Sequence, residues 1–252
     1  MSFNCDAKTL SKGIEKCLLK GKYFTSGGLK NSELDNYVHL EVVDDIILYN
    51  ADSSLCVSIN VPVTRLIVPG SCIIEASKVI AYLKNYSGEV TIEVKDTFRI
   101  VGGGKTTNLP VVLSHPNSDL ITRFKNRFSK IEFEAEPTEY PKFTGTEYKT
   151  WVQTTSDAFT EAIKACEVVG LGVYKLDFDG EELIISSKTD NENFHQAVFT
   201  INCNDEPATL EYTGPLHKIF DGPINFFFND DSPLLIIGAN AKLMKAPFLV
   251  VD

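Results

Sequence analysis

The chain has 252 residues, 43% of them hydrophobic and 23% charged, which is enough apolar material for one large or two small domains and excludes a disordered chain. Its formal net charge of −10 at pH 7 excludes a surface that clings to nucleic acid all over, while leaving room for one basic face. The six cysteines, at positions 5, 17, 56, 72, 166 and 203, form no C-x-x-C pair and no His-Cys cluster, so neither a zinc centre nor a disulfide framework is signalled.

The opening residues, Met1-Ser-Phe-Asn-Cys-Asp6, lack the charged start and apolar run of a signal peptide. No apolar stretch approaches the ~20 residues needed to span a bilayer, so an intracellular protein with no membrane partner is expected. Asn85-Tyr86-Ser87 fits the glycosylation triplet, and without a secretory signal it reads as a chance match. The four histidines stand far apart, none in a recognisable catalytic arrangement with Ser, Cys or carboxylate. No catalytic residue, metal-ligand set or cofactor is nominated.

The first element spans residues 6 to about 20, where Ala7, Leu10, Ile14, Cys17 and Leu18 recur at helical spacing. At 100° per residue they gather on one side, and Lys8, Lys12, Lys16 and Lys20 fall on the other, each one turn above the last. A solvated face usually mixes signs to gain i,i+4 pairs, whereas only Glu15 interrupts this one. Strand-like runs follow at 37–43, 46–50 and 55–61, with turn residues between them, as an antiparallel meander. A second amphipathic helix, 75 to about 86, turns Ala76, Val79, Ile80 and Leu83 inward, Lys78 outward and Lys84 to the flank. Runs at 89–95, 97–101 and 105–109 make a second meander.

The last of its turns lies in Val101-Gly-Gly-Gly-Lys-Thr-Thr-Asn-Leu-Pro110, which looks like a lysine-ended phosphate loop. That loop needs a glycine where this chain has Arg99, and it must open a helix whose N-terminus holds the anion. Here 106–110 is β-prone and closed by proline, so the stretch reads as a hairpin.

Residues 111–146 read as a linker containing a short helix or strand, with prolines, a basic run (Arg123, Lys125, Arg127, Lys130) and an acidic run at 132–139. The basic run suits either solvent or contact with DNA or a partner. Then the order repeats: a strand at 149–154, a helix at 156–168 with Phe159, Ala162, Ile163 and Cys166 inward, and strands at 173–178, 183–187 and 194–202. A short helical piece at 214–220 and strands at 224–229, 234–237 and 242–250 close the chain. This repeat predicts an α+β fold of two similar domains, 1–110 and 147–252, each with two helices packed on antiparallel sheets.

The order of elements, the length and certain runs resemble the DNA sliding clamps. Asn229-Asp-Asp-Ser-Pro-Leu-Leu-Ile236 and Lys242-Leu-Met-Lys-Ala-Pro-Phe-Leu-Val250 are similar to the terminal strand pair and tail of the proliferating cell nuclear antigen type. Residues 70–109, with the turn Gly88-Glu-Val90, look closer to the bacterial polymerase III beta clamp. The resemblance covers nearly all of the chain outside 111–146 and implies the DNA clamp fold.

Such clamps are rings of six domains with helices lining the hole, so the resemblance implies a homotrimer, without enzymatic activity, that encircles duplex DNA regardless of sequence. It would tether a DNA polymerase, and take up a clamp loader, through short peptide motifs, and it would sit with the replicating DNA. By this carry-over Lys8, Lys12, Lys16 and Lys20 face the hole, joined by Lys78, Lys84, Lys164, His217 and Lys218. Asp157 and Glu161 beside Lys164 depart from a uniformly positive bore. The peptide pocket falls on Val111, Val112 and Leu113 with Pro233, Ala246, Pro247 and Phe248. A checkpoint-type subunit of a hetero-ring, or a β-rich protein-binding module that forms no ring, are the alternatives.

Overall fold

Ser2–Asp6 alternates buried Phe3 and Cys5 with half-exposed neighbours, and this short run, too brief to stand out in the sequence, is a strand that feeds directly into the first helix. A computed structural model of the protein describes residues 1–19, 36–128, 142–143, 146–169, 172–188, 194–200, 202–203 and 206–248. They divide into two compact units, the described residues through Asn126 forming one and those from Arg127 the other.

In the first unit, helix α1 is Ala7–Cys17 and helix α2 is Ala76–Leu83. One sheet runs in the spatial order Arg65–Val68, Ser2–Asp6, Glu89–Val94, Thr97–Gly102, Lys105–Pro110. The other runs Leu55–Val61, Ile46–Ala51, Tyr37–Val42, Gly70–Glu75, and neighbouring strands of both sheets are antiparallel. The pairs Thr97↔Pro110 and Gly102↔Lys105 make residues 97–110 one hairpin, turned at Gly103 (φ 53°) and Gly104 (φ 74°). Positive φ at both central residues is the type I′ demand that glycine meets, so the apparent phosphate loop is a two-residue hairpin turn. Lys105 donates from Nζ to the carbonyl of Asn85 at 3.2 Å.

The second unit repeats the plan. Strand Thr150–Thr155 precedes helix α4, Ser156–Val169, where α3 is Ser118–Phe128 in the expected linker. One set of strands runs Asn202–Cys203, Thr150–Thr155, Pro223–Phe228, Leu234–Gly238, Ala241–Lys245, and a second runs Phe194–Thr200, Glu182–Lys188, Val173–Phe178, Ala208–Thr213. The short helical piece expected at 214–220 is a single 3-10 turn, Leu216–Ile219. The core sits between α4 and the sheets, where Phe159 meets Phe226 edge-on at 5.0 Å and Tyr174 stacks on Tyr212 at 5.5 Å.

α1 is held at both ends. The Asp6 side chain accepts from the Thr9 backbone N–H at 2.8 Å and from its hydroxyl at 2.8 Å, capping the N-terminus. Those two bonds, the backbone one foremost, hold the Asp6 carboxyl below its usual range. At Gly13 the helix lies so close to the sheet that an added Cβ would stand 2.3 Å from Val61 Cγ2 and 3.3 Å from Leu48 Cδ1. Gly13→Ala gains about 1 kcal/mol of helix propensity but collides with the buried, β-branched Val61, an overlap of the kind that costs ~1–3 kcal/mol. A net loss of stability in urea unfolding is the expected result, largely recovered by adding Val61→Ala.

Candidate nucleic-acid interface

α1 turns Ala7, Leu10, Ile14 and Cys17 into the core and leaves Lys8 and Lys12 exposed, as helical period dictates. Lys16 does not join them. Its residue is only 5% exposed, on a helix whose buried residues also include Ser11 and Gly13. Lys20 lies outside the described residues. α2 packs in the same unit and exposes Lys78 and Lys84. Lys78 pairs with Glu75 at 2.7 Å and Lys84 with Glu15 at 3.5 Å, the ammonium groups exposed and the carboxylates half-buried, and ion pairs with an exposed lysine are weak. The face is thus cationic, built from flexible lysines, and carries no nucleophile or base arrangement suited to catalysis among the described residues.

The helical face of the second unit differs in sign. Lys164 is exposed on α4, but so are Asp157, Glu161 and Glu167, with Val168 87% exposed beside them. His217, expected to reach DNA, is 1% exposed and packs edge-on against Phe159 at 6.3 Å. Neither ring nitrogen has a hydrogen-bond partner among the described residues. Burial first, then the nearby Lys218 and Lys164 charges, hold its pKa down to about 4, so at neutral pH it is an uncharged core residue. The expectation fails because a 3-10 turn points its second residue inward here, which spacing alone does not reveal. Lys218 is half-buried.

A histidine that is neutral when folded and has its ordinary pKa of 6.5 when unfolded takes up a proton on unfolding between about pH 4 and 6.5. Its contribution to stability is therefore full above that window and is lost as pH falls through it. His217→Leu is expected to flatten the acid-side loss of the second unit's stability, read from urea midpoints at pH 5 and pH 7.5.

The expected pocket residues belong to two units, Val111, Val112 and Leu113 to the first and Pro233, Ala246, Pro247 and Phe248 to the second. In each unit the tail lies along an edge strand. Val112 N–H donates to the carbonyl of Ile73 in Gly70–Glu75 at 3.3 Å, and Phe248 N–H donates to the carbonyl of Glu211 in Ala208–Thr213 at 2.7 Å. Leu113 is 99% and Phe248 40% exposed, while Val111, Val112, Pro233, Ala246 and Pro247 are half-buried.

After the first tail, α3 buries Ile121 and Phe128. His115 Nε2 donates to the Tyr37 carbonyl at 3.1 Å while Nδ1 accepts from Asn117 N–H at 3.0 Å, and the Asn117 amide donates to the Ala51 carbonyl at 2.7 Å. Of the basic run, Lys125 is committed to Glu41 at 2.5 Å, and Arg123 is exposed. The Arg127 side chain and Lys130 lie outside the described residues.

Two repeated units, each with helices on paired antiparallel sheets, define the fold of the DNA sliding clamps. The chain is similar to the beta subunit of DNA polymerase III from Thermotoga maritima, with a TM-score of 0.70 at 14% identity over 100% of this chain and 66% of that one. A putative beta subunit from Eubacterium rectale gives a TM-score of 0.75 at 9% identity, over 99% of this chain and 66% of that one. PCNA from A. fulgidus, in a structure with the C-terminal region of FEN-1, gives 0.69 at 13% identity, over 100% of this chain and 99% of that one. The chain spans about two thirds of the length of the bacterial subunits and nearly all of that PCNA. No family profile and no curated protein sequence matches it.

Proposed function

We propose that this chain is a sliding clamp, a processivity factor without enzymatic activity that closes into a homotrimeric ring around duplex DNA. The observation that carries the reading is the exposed lysine face of α1 and α2, Lys8, Lys12, Lys78 and Lys84, on a clamp-fold chain of net charge −10. A ring that slides must hold phosphates diffusely and exchange them, with no base readout, and lysine supplies a mobile point charge for that purpose. Coverage of nearly the whole A. fulgidus PCNA chain supports a subunit of two domains, three of which would make the ring.

Edge strands support assembly as well. The tails cover Gly70–Glu75 and Ala208–Thr213, whereas Lys105–Pro110 and Phe194–Thr200 each have a long edge with no partner among the described residues. Two different open edges suit a head-to-tail contact that closes by rotation. Polymerase and loader peptides would dock on the apolar tail residues, Val111 to Leu113 and Ala246 to Phe248 with Pro233.

The test is retention on nicked circular DNA after loading, followed by linearisation. Loss on cutting is the expected result, and equal retention on both forms would sink the ring. Solution mass should be about three times the 27.9 kDa chain, and trimerisation only with other chains would replace the homotrimer by a hetero-ring.

In this reading the carboxylates of α4 oppose the lysines of α1. Neutralising them, as Asp157→Asn with Glu161→Gln, is expected to tighten binding to duplex DNA severalfold at low salt, measured by fluorescence anisotropy.

A further inference from the structure

α2 fills its apolar stripe with Ala76, Val79, Ile80 and Leu83, all buried, and nevertheless places a large aromatic, Tyr82, on its outer side with 43% of its surface exposed. Lys78 stands one turn before Tyr82, at the i,i+4 spacing that makes side chains neighbours, and the phenol lies within the electrostatic reach of its ammonium group. Lys84, the exposed C-cap of the same helix, pairs with Glu15 and so ties this end of α2 to α1. Tyr82 Oη is thus a hydroxyl with no hydrogen bond to another described residue, on a helix whose exposed lysines, Lys78 and Lys84, are held only by ion pairs to Glu75 and Glu15.

We propose that Tyr82 is a DNA-contacting residue whose hydroxyl donates a hydrogen bond to a backbone phosphate oxygen while its ring covers the adjoining deoxyribose. The occupant is duplex DNA because the surroundings are complementary to a polyanion. Lys78 and Lys84 draw the phosphates near, and tyrosine is among the side chains that bind phosphate directionally, through one O–H. The two kinds of contact do different things. Lysines act at a distance and set the salt dependence, whereas a neutral phenol releases no counterion and adds a short-range contact that resists displacement along the strand. The inference rests on the clamp reading, in which this face meets DNA.

The experiment uses the full-length protein and a fluorescently labelled 30-base-pair duplex titrated at several salt concentrations, with Tyr82→Phe, Tyr82→Ala and Lys8→Ala compared. Tyr82→Phe removes one hydroxyl from an exposed ring and should leave the urea midpoint unchanged. It is expected to weaken binding by about two- to tenfold, the range for one net hydrogen bond, with the slope of log K against log salt unaltered. Lys8→Ala should instead reduce that slope by about one. Tyr82→Phe binding like the unaltered protein while Lys8→Ala weakens would overturn the role of Tyr82 and leave the clamp face standing. No effect from Lys8→Ala would remove the face itself.

Discussion

Lys8→Glu with Lys12→Glu is expected to lower affinity for duplex DNA by at least about tenfold at 50 mM salt and to cut the salt slope by about two per engaged subunit, since each lysine that meets a phosphate releases about one counterion. The two side chains are exposed on α1 and make no ion pair among the described residues, so the substitution adds repulsion without breaking a contact. Folding should survive, because exposed charge changes away from special features usually stay within ~0.5 kcal/mol. The discriminating comparison is Lys16→Glu. Lys16 is buried, so its reversal should unfold or destabilise the first unit, whereas Lys8 and Lys12 variants lose DNA with an unchanged urea midpoint. Unaltered affinity of the double variant would remove DNA from this face.

Phe159→Ala is expected to destabilise the second unit by about 3–5 kcal/mol, the range for deleting a fully buried aromatic ring. Phe159 is 0% exposed, meets Phe226 edge-on at 5.0 Å and also walls the His217 ring. Its loss leaves a cavity beside an imidazole whose nitrogens have no hydrogen-bond partner among the described residues, so water is expected to enter and the histidine pKa to move back toward its ordinary value. The variant should therefore show a shallower loss of stability between pH 6.5 and 5 than the unaltered protein, on top of its lower midpoint. Because the chain has two units, the unfolding curve is to be fitted with two transitions, and the first unit's transition is expected to stay in place.

Periodicity carried the helices and the hairpins well, since a 3.6-residue stripe such as Phe159, Ala162, Ile163 and Cys166, or a glycine-punctuated pair of strands, is a local property. Strands Arg65–Val68, Gly70–Glu75 and Ala208–Thr213 escaped it. The first two are short and meet at Pro69 and Gly70, so they look like a loop until the register with Ser2–Asp6 and Tyr37–Val42 is known. In α3, Ile121, Phe124 and Phe128 stand at helical spacing, a signal masked by Pro116 and the basic run. Lys16 and His217 failed for one common reason. Angular position tells which way a residue points on its own helix, and burial depends on what other segments bring to that side. Naming Val111 to Leu113 together with Pro233 and Ala246 to Phe248 rested on a resemblance, because no spacing rule links Leu113 to Phe248.

Gly13 has a mechanical consequence for the lysines that share its helix. A helix resting on a sheet through a bulky side chain can roll when that side chain changes rotamer. α1 rests there with bare backbone against Val61, and its other anchors are the Asp6 cap and four buried apolar residues. Its axis is thereby pinned while the ammonium groups of Lys8 and Lys12 sweep freely at the ends of long stems. The charges are mobile on a fixed rail, so a polyanion passing over Lys8 and Lys12 would encounter nearly the same average field from α1 at every phosphate step.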